Sequence, residues 1–374
     1  MSQSTYRPDI DGLRALAVGA VVLFHLGLPV AGGFTGVDVF FVISGYLITG
    51  IIQQELDRGR FTIAGFYERR IRRIFPALFV VLLASSAAAC LLLLPRALEL
   101  FGHSLLAAIG FASNVLFWSE SGYFSTAAEA KPLLHTWSLA VEEQFYLVFP
   151  LLLMAIRSLS HTHRLVVLWI LFAASFALSV YWVHQAPETA FYMFPARAWE
   201  LLAGSLLALN AVPRIANHRL REIAGVAGLT LIGAGYFLIR DDARFPGVAA
   251  LLPCMGAVLI IHSGAGTDTF THRLLSWRPL VFIGLISYSL YLWHWPLIVF
   301  YKQSLIGEFT YLPRLGILLA SIGLATFSWR YIEGPFRQKN IAPTRIPLFM
   351  GFACFSSAIA AAGIALSMTQ GWPA

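Results

Sequence analysis

The sequence predicts an all-α integral membrane protein, a bundle of about eleven transmembrane helices. Three observations carry this. Of 374 residues, 58% are hydrophobic and only 12% charged, about half the charged share of an ordinary soluble domain. Apolar runs of about 20 residues, the length that spans a bilayer, recur from end to end. The Lys and Arg behind the net charge of +7 sit in short loops between those runs. There they set topology by the positive-inside rule and do not point to nucleic acid.

The runs fall near residues 12–29, 37–55, 74–94, 137–156, 164–182, 197–210, 223–239, 246–262, 280–301, 313–332 and 346–368. A twelfth stretch, 98–118, carries Glu99, His103, Ser104, Ser113 and Asn114 and reads as amphipathic. If it stays out of the bilayer, most Lys and Arg fall in cytoplasmic loops; if it crosses, the split becomes about even. The first arrangement is preferred, with the N-terminus inside and the C-terminus outside. The loop ELDRGRFTIAGFYERRIRR is its strongest cytoplasmic marker. The three cysteines, Cys90, Cys254 and Cys354, lie in apolar stretches with no disulfide or zinc spacing, and read as small buried hydrophobes. No signal peptide, low-complexity tract or inverted pair of broken spans is visible.

Ionisable residues inside spans cost about 2.5 to 3.5 kcal/mol each on insertion scales, so each is a candidate for function. On the first span Arg14 and His25 are eleven positions apart, nearly three full turns, so they share a face about 16 Å apart along the axis. His25 suits general-base work; it reads equally as a hydrogen-bonded core residue, with Arg14 snorkelling to headgroups. In GGFTGVDVFFVISGYLIT, Asp38 opens the second span and reads as its cap, with Ser44 and Tyr46 inside it. No GxSxG elbow marks Ser44 as a hydrolase nucleophile.

In FYERRIRRIFPAL, Arg69, Arg70, Arg72 and Arg73 crowd the inner membrane surface. Such a cluster fits the phosphates of a cofactor or of lipid headgroups. In LLHTWSLAVEEQFYLVFP, Glu142 and Glu143 interrupt an apolar span, and His135 shares the face of Glu142. Two intramembrane carboxylates need partners, and Arg14 is one plausible counter-charge; a structural ion pair is the alternative. Arg197 and Glu200 are spaced to pair with each other. His294 reads as a packed interfacial histidine, and Glu333 and Arg337 as anchors at the inner end of a span.

These segments, in order and over roughly residues 6–337, resemble the membrane-bound acyltransferase family 3, the O-acyltransferases of bacterial surface glycans. The resemblance implies a ten-helix core, here 1–340, followed by one extra helix and the start of an extracytoplasmic linker, 341–374. It implies catalytic roles for Arg14 and His25, with Glu142 and Glu143 setting the charge of the site. Arg70 and Arg73 match the family's Arg-x-x-Arg, thought to hold acyl-CoA phosphates, with Arg69 and Arg72 beside them. Glu200 and Gly204 match its Glu-x-x-Gly, and Trp137 to Tyr146 its Trp-Ser-Leu segment. The implied co-substrate is acetyl-CoA, with no metal. The implied partners are a glycan or lipid-linked glycan acceptor, membrane lipids and an extracytoplasmic SGNH-type domain that some members carry fused; no nucleic acid is expected. The implied location is the bacterial inner membrane. A chain ending at Gly371, Trp372 and Pro373 has no room for the SGNH-type domain; it reads as the membrane piece of a fused protein or, alternatively, as a chain that acts alone or with a separate partner. The rival reading is a carbohydrate or acyl-conjugate transporter without chemistry; binding of CoA separates the two.

Overall fold

The computed structural model describes residues 6–121, 128–240, 244–264, 269–304 and 309–369. The tail 370–374, with the expected linker, lies outside the described residues. Every regular element among the described residues is helical. In chain order they are α1 (Pro8–His25), α2 (Gly36–Asp57), α3 (Ile63–Leu92), α4 (Pro95–Ile109), α5 (Ser113–Ser119), α6 (Thr136–Ala155), α7 (His161–Gln185) and α8 (Pro187–Tyr192). There follow α9 (Phe194–Ala208), α10 (His218–Leu238), α11 (Leu251–Ser263), α12 (Phe270–Leu275), α13 (Arg278–Ser304), α14 (Tyr311–Phe327), α15 (Gly334–Arg337) and α16 (Arg345–Met368).

Seven helical stretches among the described residues are long and apolar enough to cross a membrane, and they correspond to seven of the expected spans. The other four form helices that fall short. α1 carries Asp9, Asp11 and Arg14, α9 has 15 residues and α11 has 13. α10 has the length but opens on a charged turn, HRLRE. The ambiguous 98–118 stretch is broken: Gly110 caps α4, and Phe111 turns the chain at φ 49° before α5 begins. Neither piece reaches a spanning length. Apolar surface tells the same story. The best window of α7 has a hydropathy of 2.2, yet only 22% of it is buried, and in α16 only 17% is. Such extensive uncovered apolar flank requires lipid. Cys90 and Cys354 lie on exposed helix flanks, so only Cys254 behaves as the buried hydrophobe expected of all three.

The chain forms two compact units. Unit 1 comprises residues 1–60 and 144–287. Its core gathers Leu13, Ala17, Val39, Val42, Trp199 and Ile260. One helix pair there, α2 and α9, approaches to backbone contact at two points. A Cβ on Gly45 would strike the Leu201 carbonyl, and one on Gly204 the Val42 carbonyl. Thr49 donates to Ser205 Oγ at 2.8 Å across the same α2–α9 seam, the small-residue packing typical of membrane helices. Gly204, carried over as a family residue, therefore earns its place by letting α9 lie against α2.

Unit 2 comprises residues 61–143 and 288–374. In it α16 packs on α3 and α4, with Gly102 against Gly363. Between α14 and α15 the chain makes one π-helical stretch, Ser328–Glu333. This widened turn carries Glu333 inward, where it is 3% exposed and accepts from Ser289 Oγ at 2.5 Å. The sequence reading of Glu333 as a membrane anchor is thereby corrected: regular α-helical spacing does not hold where one turn is widened by a residue.

Candidate functional site

In unit 1, α1 is one unbroken helix from Pro8 to His25. The expected spacing of Arg14 and His25 is therefore kept, about 16 Å at 1.5 Å per residue. The helix stops after His25 because Gly27 takes φ 68°, its N–H bonding the Phe24 carbonyl at 2.8 Å while the Leu28 N–H reaches Leu23 at 3.0 Å. This glycine-closed end leaves His25 in the last turn, its ring 5.3 Å from that of Phe24. At the other end Arg14 Nη1 donates to Asp11 at 3.1 Å, and Tyr6 donates to the same carboxylate at 2.8 Å. Arg7 grips Asp9 with two bonds, at 2.8 and 2.6 Å, and Tyr46 lies within its reach. The YRPDIDGLR run is thus a polar lock, with acids placed where a helix N-terminus favours them.

Deeper in unit 1, Arg197 lies 3.1 Å from Glu200, as the spacing suggested, and also 3.1 Å from Asp38. Asp38 makes no cap; its side chain turns inward to the guanidinium, which corrects the capping assignment. Three aromatic faces, Phe41, Phe191 and Phe245, surround the cation at 5.5 to 5.9 Å. Ser44 is half-buried on the same helix as Asp38.

In unit 2 the arginine cluster divides. Arg72 is 3% exposed. It donates to Glu68 at 3.1 Å and to the carbonyls of Phe336, Ile341, Ala342, Pro343 and Thr344 at 2.8 to 3.5 Å. Glu68 in turn accepts from Arg345 at 2.7 Å and faces Lys339 at 3.2 Å. Arg72 therefore clamps the α15–α16 connection onto α3, a structural duty that the sequence reading did not foresee when it grouped Arg72 with the phosphate binders. Arg70 and Arg73 instead lie within electrostatic reach of Glu143, beside Glu142. The sequence reading, which offered Arg14 as a counter-charge to these acids, did not name Arg70 and Arg73 in that role. This cluster of two acids and two arginines is thus built from the two segments that the family resemblance marked.

A further group escaped the sequence reading. His135, 3% exposed, faces the His294 ring at 6.0 Å and the Tyr291 ring at 5.7 Å. Tyr291 donates to the His135 carbonyl at 2.9 Å and meets Ser138 at 2.6 Å. His294 is fully buried, not interfacial, with Nδ1 at 2.7 Å from the Tyr291 carbonyl. Trp137 is buried in the first turn of α6 beside them. The i,i+3 spacing of Tyr291 and His294 was the available signal, hidden by the aromatic run around it.

With this geometry in place, comparison with known proteins decides the family. The family model described as an acyltransferase domain matches residues 7–367. The chain belongs to acyltransferase family 3. Among its relatives are the proteins named O-acetyltransferase OatA in Staphylococcus aureus strains NCTC 8325 and COL, each 32% identical over 358 residues, with 91% of this chain and 58% of the relative covered. A further relative, from S. aureus strain MSSA476, is 32% identical over 373 residues, covering 93% of this chain and 61% of its own length. The chain thus spans about three-fifths of the curated relatives it matches. No solved structure matches. Within the family frame, charge is concentrated on motif residues at the Arg14–His25 helix, at the Arg70–Arg73–Glu143 cluster and at Asp38–Arg197–Glu200.

Proposed function

We propose that this chain is the membrane part of an O-acetyltransferase that takes an acetyl group from cytoplasmic acetyl-CoA. It passes that group to a hydroxyl of a bacterial surface polysaccharide: a lipopolysaccharide O-antigen, an exopolysaccharide or peptidoglycan. The acceptor is reached directly or through an extracytoplasmic SGNH-type domain. The chain sits in the inner membrane with its N-terminus in the cytoplasm. The observation that carries this reading is the unbroken family match over residues 7–367, together with relatives named for O-acetyl transfer.

The roles follow from chemistry. Arg70 and Arg73, with Arg69 alongside, supply the paired guanidinium groups that bind phosphate. Glu142 and Glu143 hold those arginines in place when no donor is bound. His25 supplies the imidazole, which takes the acceptor's hydroxyl proton as the oxygen attacks the thioester carbonyl, or first takes the acetyl group itself. In both routes the carbon–sulfur bond breaks, and the proton lost by the hydroxyl is recovered by the leaving thiolate. Arg14 fixes the charge environment of α1 through Asp11.

Membranes carrying this chain, given radiolabelled acetyl-CoA, test the reading. Label should reach glycan or protein, and His25→Ala should lower transfer at least a hundredfold, the scale of a lost general base. Arg73→Gln should raise the KM for acetyl-CoA with little change in kcat. Equal transfer by the His25→Ala variant would remove His25 from the chemistry. Failure of the folded chain to bind acetyl-CoA would overturn the donor assignment.

A further inference from the structure

The Asp38–Arg197–Glu200 cluster of unit 1 does not balance. Asp38 and Glu200 are 0% exposed and Arg197 is 1% exposed. Two carboxyl groups share one guanidinium, each at 3.1 Å. An oxygen of each carboxyl group lies within 4.8 Å of one of the other. No other cation among the described residues faces either acid. The segments outside the description contain no Lys, Arg or His. Four helices among the described residues bring titratable groups to the cluster. α2 brings Asp38, α9 brings Arg197 and Glu200, α11 brings Cys254 and α10 brings Tyr236. The thiol of Cys254 is fully buried, within 4.8 Å of both acids. The Tyr236 hydroxyl is buried beside Asp38 with no hydrogen-bond partner. The aromatic rings around Arg197 add no charge.

Two ionised carboxylates here would leave one net negative charge sealed among apolar helices. Desolvation of that kind costs several kcal/mol, and the group neutralises instead. Like charges in contact cannot both persist when one bound proton removes the repulsion and bridges the pair. We infer that Asp38 and Glu200 together bind a single proton at neutral pH, making this cluster an intramembrane proton site with Arg197 as its fixed countercharge. The α2–α9 backbone contact at Gly45 and Gly204 holds the two acids together. This inference is independent of the acetyl-transfer reading.

Infrared spectroscopy of the purified chain tests it without requiring any reagent to enter the site. A protonated carboxyl gives a C=O stretch that is separate from carboxylate bands and shifts in heavy water. Native chain minus Asp38→Asn, and native chain minus Glu200→Gln, should both show that band at pH 7. Each single variant leaves one acid for one arginine, so the remaining acid ionises and the band disappears from both. Absence of the band from the native chain would overturn the inference. A difference spectrum that lacks the band for either folded variant would do the same, because the remaining acid would then hold a proton despite Arg197. A native chain without the band that loses a bound metal to a chelator would identify a cation as the neutralising group instead. Should one substitution prevent folding, the other alone still decides.

Discussion

Two buried ion clusters, one in each unit, solve opposite problems. In unit 1 a lone guanidinium, Arg197, is outnumbered by Asp38 and Glu200, and all three are sealed from the surface. In unit 2 a lone carboxylate, Glu68, is outnumbered by Arg72, Arg345 and Lys339. There only Arg72 is buried; the side chains of Arg345 and Lys339 are 53% and 56% exposed. Surplus cations at a rim are relieved by water and headgroups, and Arg72 is further satisfied by backbone carbonyls. Surplus anions in a sealed core have no such outlet. Burial, and not the number of charges, decides which cluster must recruit something from outside.

Stripping one cation at a time would sharpen that contrast. Arg197→Met should have the largest effect. It leaves two buried acids with no counter-charge and should destabilise the fold by about 3 to 5 kcal/mol, the usual cost of breaking a buried pair from one side. Thermal unfolding in detergent, read beside the native chain, would measure it. Arg72→Met should be next, at about 2 to 3 kcal/mol: Glu68 keeps two other cations, but several carbonyls lose their donor. Limited proteolysis should then cut first in the 338–344 connection. Arg345→Gln should be smallest, at about 0.2 to 1 kcal/mol, because its partner is shared and its own side chain is half in solvent. A stability loss for Arg345→Gln equal to that for Arg72→Met would break the ordering by burial.

The sequence disclosed the class of fold, most of the spans and the Arg197–Glu200 pair, because hydropathy and helical spacing are local signals. It did not disclose Asp38 as the third member, since α2 and α9 are far apart in sequence and are brought together by the close backbone approach at Gly45 and Gly204, which no local pattern announces. The arginine run read as one surface because four neighbours in sequence look alike. Helical phase and the neighbouring connection separate them, turning Arg72 toward carbonyls and leaving Arg70 and Arg73 by Glu143. His135 and His294 lie 159 positions apart, and nothing in either local pattern announces the other.

The π-helical stretch at Ser328–Glu333 has a consequence for how this chain tolerates change. One extra residue in a turn shifts the register of everything after it by about 100° of rotation, so the residues before and after the stretch obey different frames. Removing a single residue there would restore a regular helix and yet swing Glu333 off Ser289, moving the whole 334–337 turn round the axis. Substitutions at the outward positions Trp329 to Tyr331 would leave that frame intact. Along this stretch the length of the chain, more than the identity of its side chains, is the property that the fold holds fixed.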